Sequence, residues 1–174
     1  MECTICPAYA HTEEVKTLFL EYTDFLLCTD PSFSEFLKLQ QYDHELTHLE
    51  EKYGMPKGRL YLAYVDHEIA GCIALRPFDE TRCELKRLYV REPFRGNGIA
   101  EAMVRRLFAD AKSIGYDTML LDTLPFLKSA LHLYEKLGFV RIPPYQHSPM
   151  AESIFLARSL QPDLQPDQNN GRRV

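Results

Sequence analysis

The chain has no excess of basic residues: 20 Lys and Arg stand against 25 Asp and Glu, a formal charge of −5. A surface that follows nucleic-acid phosphates needs a basic stripe, so no nucleic-acid partner is expected. No apolar run is long enough to cross a bilayer, so no membrane partner is expected either. Glu2 and Cys3 stand where a secretory leader would be basic, which argues against a signal peptide. A disulfide framework is also missing. The five cysteines, at 3, 6, 28, 72 and 83, are odd in number and irregular in spacing, which fits reduced thiols in a cytoplasm. Cys3 and Cys6 form a lone C-x-x-C with no second pair, so a redox or metal role for them is a minor reading. There is no internal repeat and no sign of a second domain. What is present is an ordinary globular composition, 45% hydrophobic and 26% charged over 174 residues, enough for one domain with its own core.

The periodicity gives an order of elements. Residues 2–9 read as an edge strand. A helix opens at Thr12 with Glu13 and Glu14 in its first turn and Val15, Leu18, Phe19, Tyr22 and Leu26 on one face. Asp30-Pro31-Ser32 breaks it, and a second helix is expected from about Glu35 to Tyr53, stopped by Gly54 and Pro56. Arg59–Val65 and Ile69–Arg76 form a hairpin around Asp66-His67-Glu68, and Cys83–Val90 is a further strand. Ile99–Ile114 is a helix ended by Gly115, Thr118–Asp122 a strand, Ser129–Leu137 a helix, and Phe139–Ile142 and Ile154–Ala157 strands. The polar, Pro-rich stretch 161–174 reads as a disordered tail behind a domain spanning 1–160. The result, β-α-α-β-β-β-α-β-α-β-β, is an α+β chain with a mixed sheet and helices on its faces.

The stretch L-Y-V-R-E-P-F-R-G-N-G-I-A from Leu88 to Ala100 carries the chemistry. A buried strand leads through a sharp turn into a helix whose first backbone N–H groups are free, with Arg95 beside them; this is a seat for a phosphate or pyrophosphate. It is not a dinucleotide fingerprint, because Glu101 stands where the third glycine of G-x-G-x-x-G would be and three strands precede the motif. No P-loop lysine follows it. A rival signal is His44-Glu45-Leu46-Thr47-His48, an H-E-x-x-H whose histidines are one helical turn apart, as in zinc hydrolases that use the glutamate as general base. Its context fails. Glu68, the candidate third ligand, falls in a hairpin tip, and Glu51 and Gly54 stand where an extended zinc motif needs glycine and histidine. No metal is expected.

Arg95-Gly96-Asn97-Gly98-Ile99-Ala100, placed after E-L-K-R-L-Y-V-R-E-P-F, resembles the acetyl-CoA-binding signature of the GNAT superfamily of N-acyltransferases. A-L-H-L-Y-E-K-L-G-F, from Ala130 to Phe139, resembles the second signature of that superfamily. The element order is similar to the GNAT fold throughout, apart from the tail. C-E-L-K-R-L-Y-V, L-D-T-L-P and P-P-Y-x-x-S-P resemble a bacterial-type branch whose acceptors are mostly unassigned. One departure is Leu127, at a position where many members carry an asparagine that contacts pantetheine.

The resemblance implies a mostly antiparallel sheet of six to seven strands, splayed between the fourth and fifth. It implies acetyl-CoA as cosubstrate, with the pantetheine arm on Leu88, Tyr89 and Val90. The pyrophosphate would lie on Arg95, Gly96, Asn97, Gly98, Ile99 and Ala100, with Ser129 a further contact. Tyr134 would protonate the leaving thiolate. Glu84 is the candidate base, with an ion pair to Lys86, Arg87 or Arg82 as the alternative, and Asp122 is a weaker candidate. Alternation would put Glu84, Lys86 and Leu88 on one strand face. The acceptor is expected to be a primary amine of a small molecule, or a lysine or N-terminal amine. An acidic wall of Glu21, Asp24, Asp43 and Glu45 with Tyr22 and Tyr42 would suit a cation, whereas Lys86 and Arg87 would suit a carboxylate. A catalytically silent acyl-CoA-binding module is the alternative function. Oligomeric state, a homodimer included, is not legible.

Overall fold

The computed structural model describes residues 2–161, so nearly all of the expected tail, residues 162–174, lies outside the described residues. The elements are β1 (Cys3–Pro7), α1 (Thr12–Thr29), α2 (Phe33–Leu39), α3 (Tyr42–Thr47), α4 (Leu49–Tyr53), β2 (Arg59–Val65), β3 (Glu68–Pro77), β4 (Arg82–Val90), α5 (Ile99–Ile114), β5 (Thr118–Thr123), α6 (Lys128–Lys136), β6 (Val140–Ile142) and β7 (Ile154–Ser159). They form one seven-stranded sheet in the order β1-β2-β3-β4-β5-β7-β6. Period-two alternation divides its residues between two cores. Tyr61, Ala63, Ile73 and Leu75 pack with α5 and α6. Leu60, Leu62, Cys72 and Ala74 pack with α1 to α4. Cys3 and Cys6 are both unpaired, and three positions apart on β1 they project from opposite faces of the strand.

The helix expected over Glu35–Tyr53 is three short ones instead. Gln41 takes a left-handed backbone (φ 53) and His48 leaves helical geometry (φ −135). The Thr47 hydroxyl donates to the His44 carbonyl at 3.1 Å, a local bond that competes with helix continuation. These breaks let Phe33, Phe36, Tyr42, Leu49 and Tyr53 all reach one core, which no single straight stripe of this sequence could do.

Two features of β4 build the site. It pairs with the parallel neighbour β5 only through Arg82, Cys83 and Glu84, so from Leu85 onward its β5-facing edge has no strand beside it. This is the splay between the fourth and fifth strands. Against β3, Ala74 faces Lys86 and Cys72 faces Tyr89, leaving one residue opposite two, a β-bulge centred on Arg87 (φ 58). The bulge resets the alternation. Lys86 lies over the Phe36 ring and Arg87 bonds to Glu45 on the α1–α4 side. Leu88 and Val90 pack toward α5 and Tyr89 toward α1. Glu84, Lys86 and Leu88 therefore do not share a face: the extra residue at Arg87 moves Leu88 to the other side.

Gly71 on β3 lets β4 come this close. A Cβ there would stand 2.4 Å from the Tyr89 carbonyl oxygen. Gly71→Ala is expected to destabilise the fold by about 1–3 kcal/mol, as over-packing does, measured by urea unfolding. Wild-type stability in this variant would show that β4 can recede without cost.

Candidate active site

Where β4 and β5 part, a cleft of about 560 Å³ opens. Its lining comes from α1 and α2 (Tyr22, Phe25, Phe33, Phe36), the free edge of β4 (Leu85 to Val90), the turn into α5, the end of β5 (Asp122, Thr123), and α6 with the loop before it. It joins a polar end at the α5 N-terminus to an apolar end under α2.

The polar end is the predicted phosphate seat. A single 3-10 turn, Glu92–Phe94, brings the chain off β4. Gly96 (φ 80) and Gly98 (φ 75) then take left-handed conformations that other residues adopt only at a cost. Within α5 the Ala102 amide is already bonded to the Gly98 carbonyl, and the N–H groups ahead of it in the first turn have no intrahelical acceptor. Arg95, Gly96, Gly98, Ile99 and Ala100 line the cleft. Asn97 does not; its side-chain amide donates to the Phe94 carbonyl at 3.1 Å and secures the turn. The Arg95 guanidinium folds back, donating to the Val90 carbonyl at 2.9 Å. Glu101, where a dinucleotide motif would have glycine, ties α5 to α6 through Lys136 at 2.6 Å.

Leu88, Tyr89, Val90, Ser129 and Tyr134 also line the cleft. Tyr134 stands edge-on to Phe139, ring centroids 5.6 Å apart, and burial pushes its phenol well above the usual range. Burial therefore favours the neutral phenol, the form that can donate a proton. Leu127 lies on the lining just before α6, so the contact that a polar side chain would make there is apolar.

The charged residues are arranged differently from the expectation. Glu84 is fully buried and does not line the cleft. Its Oε1 accepts from Arg76 at 2.7 Å and its Oε2 from the Tyr145 hydroxyl at 2.7 Å. Lys86 Nζ stands 3.7 Å from Glu84 and 3.7 Å from Asp122. Burial acts to raise the Glu84 carboxyl, but Lys86 and Arg76 outweigh it and hold it below the ordinary value. Glu84 is enclosed beside Arg76, Tyr145 and Lys86, an arrangement that favours the ion-pair alternative over the base, with Arg76 as an added partner. Asp122 lines the cleft. The three branch motifs meet here, since C-E-L-K supplies Glu84 and Lys86, L-D-T-L-P supplies Asp122, and P-P-Y-x-x-S-P supplies Tyr145. Sequence reasoning missed Arg76 and Tyr145; the third motif was the only signal for Tyr145.

The acidic wall is likewise not a wall of the cleft. Glu21 is bound by Arg91 at 2.6 Å, Glu45 faces the core, and Asp24 and Asp43 are exposed away from it. Of the six residues only Tyr22 lines the cleft, stacked on Tyr89 at 5.6 Å. The H-E-x-x-H reading loses its base in the same way. Glu45 accepts hydrogen bonds from Arg87, Tyr53 and Lys52. Among the described residues, His44 and His48 gather with Glu51 instead, all exposed. The two imidazoles are stacked (4.1 Å, 9°), with His44 Nε2 2.8 Å from a Glu51 carboxylate oxygen and His48 Nδ1 2.8 Å from the Thr47 hydroxyl.

Residues 21–139 match the model of the Acetyltransferase (GNAT) family. An uncharacterised N-acetyltransferase of Schizosaccharomyces pombe is 36% identical, over 76% of this chain and 85% of that protein. An uncharacterised N-acetyltransferase of Dictyostelium discoideum is 29% identical, over 88% of this chain and 96% of that protein. The crystal structure of a GNAT family acetyltransferase from Elizabethkingia anophelis with acetyl-CoA bound superposes with a TM-score of 0.62 at 27% identity, covering 90% of this chain and 97% of that one.

Proposed function

The chain belongs to the GNAT family of acetyltransferases, and on that premise we propose that it moves an acetyl group from acetyl-CoA to a primary amine of a small molecule, by direct attack in a ternary complex. The observation that carries this is one continuous cleft joining a helix N-terminus, an unpaired strand edge and a protonated tyrosine. The pyrophosphate rests on the free N–H groups at the start of α5, with Arg95 swinging from the Val90 carbonyl to meet it. The pantetheine arm lies along β4 from Leu88 to Val90 as an added strand, bonding the edge that β5 leaves open. Ser129 and the apolar Leu127 border it on the α6 side.

The amine attacks the thioester carbonyl, forming the C–N bond and an oxyanion that a backbone N–H on the β4 edge stabilises. Collapse of that intermediate breaks the C–S bond, and Tyr134 gives its proton to the departing thiolate. The ammonium form of the acceptor sheds its proton through Asp122 to cleft water, and Glu84 holds Lys86 and Tyr145 in place beside it. Hydrogen bonding to a carboxylate this far inside gives Glu84 a positioning role, not a proton-accepting one.

Free thiol release from acetyl-CoA across a panel of amines, with mass spectrometry for a gain of one acetyl group, tests the reading. CoA binding without transfer to any amine would overturn it in favour of the silent acyl-CoA-binding module. The zinc hydrolase reading through His44, Glu45 and His48 has a direct check: after exhaustive dialysis against EDTA, acetyl transfer is expected to be unchanged. A loss restored by Zn²⁺ would reverse that conclusion.

A further inference from the structure

The end of the cleft beyond Tyr134 carries one loosely held pair of opposite charges. Lys86 is 7% exposed, yet both neighbouring carboxylate oxygens stand 3.7 Å away, outside direct hydrogen-bond length. Glu84 already has its close partners in Arg76 and Tyr145. Asp122 has Lys86 as its ion-pair partner among the described residues, at that same long distance. Lys86 and Asp122 both line the cleft, so an ammonium with three donors and a carboxylate with free lone pairs face the space where an acceptor must sit.

Around this pair the lining is apolar. Phe25, Leu26, Phe33, Phe36 and Met150 line the same cleft, with Lys86 over the Phe36 ring at 6.0 Å and Phe33 and Phe36 packed at 5.3 Å. Phe25, on α1, is 42% exposed although it borders a buried surface.

We propose that the acceptor is an α-amino acid with a free carboxylate and an apolar side chain, its ammonium set against Asp122 and its carboxylate against Lys86, its side chain in the aromatic pocket. This rests on the acetyl-transfer reading and names the substrate class of that site. An α-amino acid carries its two charges on one carbon, at a spacing comparable to that of the Lys86–Asp122 pair. Docking it gives each protein ion a close counter-ion and leaves the net charge of the buried site unchanged. A simple amine would bring an unmatched positive charge next to Lys86, which a low-dielectric site penalises. Lys86 therefore acts for the amino acid and against its decarboxylated analogue. The same placement aims the nucleophilic nitrogen toward β5, on the side of the cleft where Tyr134 and the end of the pantetheine arm meet.

The test compares L-phenylalanine, its methyl ester and phenethylamine as acceptors with saturating acetyl-CoA. Binding of the same three compounds to the protein–CoA complex is measured in parallel by calorimetry. Charged hydrogen bonds in a buried site lead to an expected preference of roughly 10²-fold in kcat/KM for the amino acid over the two compounds lacking a carboxylate. In Lys86→Met that ratio is expected to collapse to within about threefold of unity, and Lys86→Arg to restore part of it. Equal or faster acetylation of phenethylamine by the wild type would overturn the inference and leave acetyl transfer standing. Lys86-dependent binding of the amino acid with no turnover of any compound would support the site and overturn the catalytic reading instead. Absence of both binding and turnover of L-phenylalanine would overturn the inference.

Discussion

Tyr134→Phe is expected to lower kcat by about 10²-fold, toward the lower end of what general acid catalysis supplies, because a thiol of pKa near 8.5 is already a fair leaving group. Affinity for CoA should stay within a factor of about two, since only a hydroxyl is removed and the proposed contacts at the α5 N-terminus and the β4 edge lie elsewhere. The geometry separates this role from packing. The ring of Tyr134 is buried against Phe139, a contact that phenylalanine keeps. The hydroxyl is the part that differs, and the residue borders the cleft. Burial is the first cause of its raised pKa, with Tyr22 and Asp122 adding to it. Burial therefore favours the protonated phenol, so ionisation of Tyr134 should be displaced to the alkaline side of the pH–rate profile. Steady-state kinetics with calorimetry of CoA binding checks both parts. An unchanged kcat would remove the acid assignment.

Glu45→Ala is expected to cost about 3–5 kcal/mol of stability, the range for removing one partner of a buried pair and leaving the other charge uncompensated. Arg87 donates to Glu45 at 2.8 Å through Nε and again at 2.8 Å through Nη2. Tyr53 adds 2.6 Å and Lys52 2.7 Å to the same carboxylate. Without Glu45, Arg87 keeps among the described residues a side-chain hydrogen bond to Gln40, at 2.9 Å, and the faces of the Phe19 and Tyr42 rings. The effect extends to the cleft. Arg87 is the left-handed residue of the β4 bulge, a conformation that persists only while its surroundings hold it, so the variant should also lose acetyl transfer beyond its loss of folded protein.

The pH dependence of this pair has a definite sign. Burial alone would raise the Glu45 carboxyl; Arg87 and then Lys52 overcome that and bring it from 4.5 down to about 2. A folded pKa below the unfolded one means stabilisation that is complete above about pH 4.5 and fades as the pH falls toward 2. The shift corresponds to roughly 3 kcal/mol. Burial takes Lys52 down to about 8, so in alkaline solution Arg87 remains as the counter-charge. Urea unfolding of the wild type from pH 6 to 2.5 should lose this contribution on the acid side, and Glu45→Gln should flatten the loss. Parallel curves for the two proteins would place the acid sensitivity elsewhere.

The element order was legible because most of its signals are local. Arg59–Val65 and Ile99–Ile114 are read to the residue, the first from alternation between two turns, the second from a glycine pair before it and Gly115 after it. The glycine-rich helix start proposed as the cofactor seat was legible for the same reason: a strand, two glycines and a helix start are neighbours in the chain. The helix over Glu35–Tyr53 was misread because Gln41 and His48, neither a breaker by type, leave helical geometry so that three pieces can bury their rings in one core. The partners of Glu84 were not legible for a related reason. A glutamate on a strand looks the same whether it faces a cleft or a guanidinium, and Arg76 and Tyr145 arrive from 8 and 61 residues away.

By itself, then, the sequence determined the family, the chain order of the strands, and the glycine-rich helix start proposed as the pyrophosphate seat. Backbone conformation and phosphate binding at a helix start depend on residues adjacent in the chain. Only the tertiary structure decided what the charges do. One residue added at Arg87 reverses the facing of the strand beyond it. Arg87 goes to Glu45 at that bulge, while before it Lys86 stands beside Asp122 and Glu84 is enclosed by Arg76 and Tyr145. Which carboxylate is a counter-ion and which faces a substrate follows from burial and from partners distant in the chain, and a lone sequence carries no record of either.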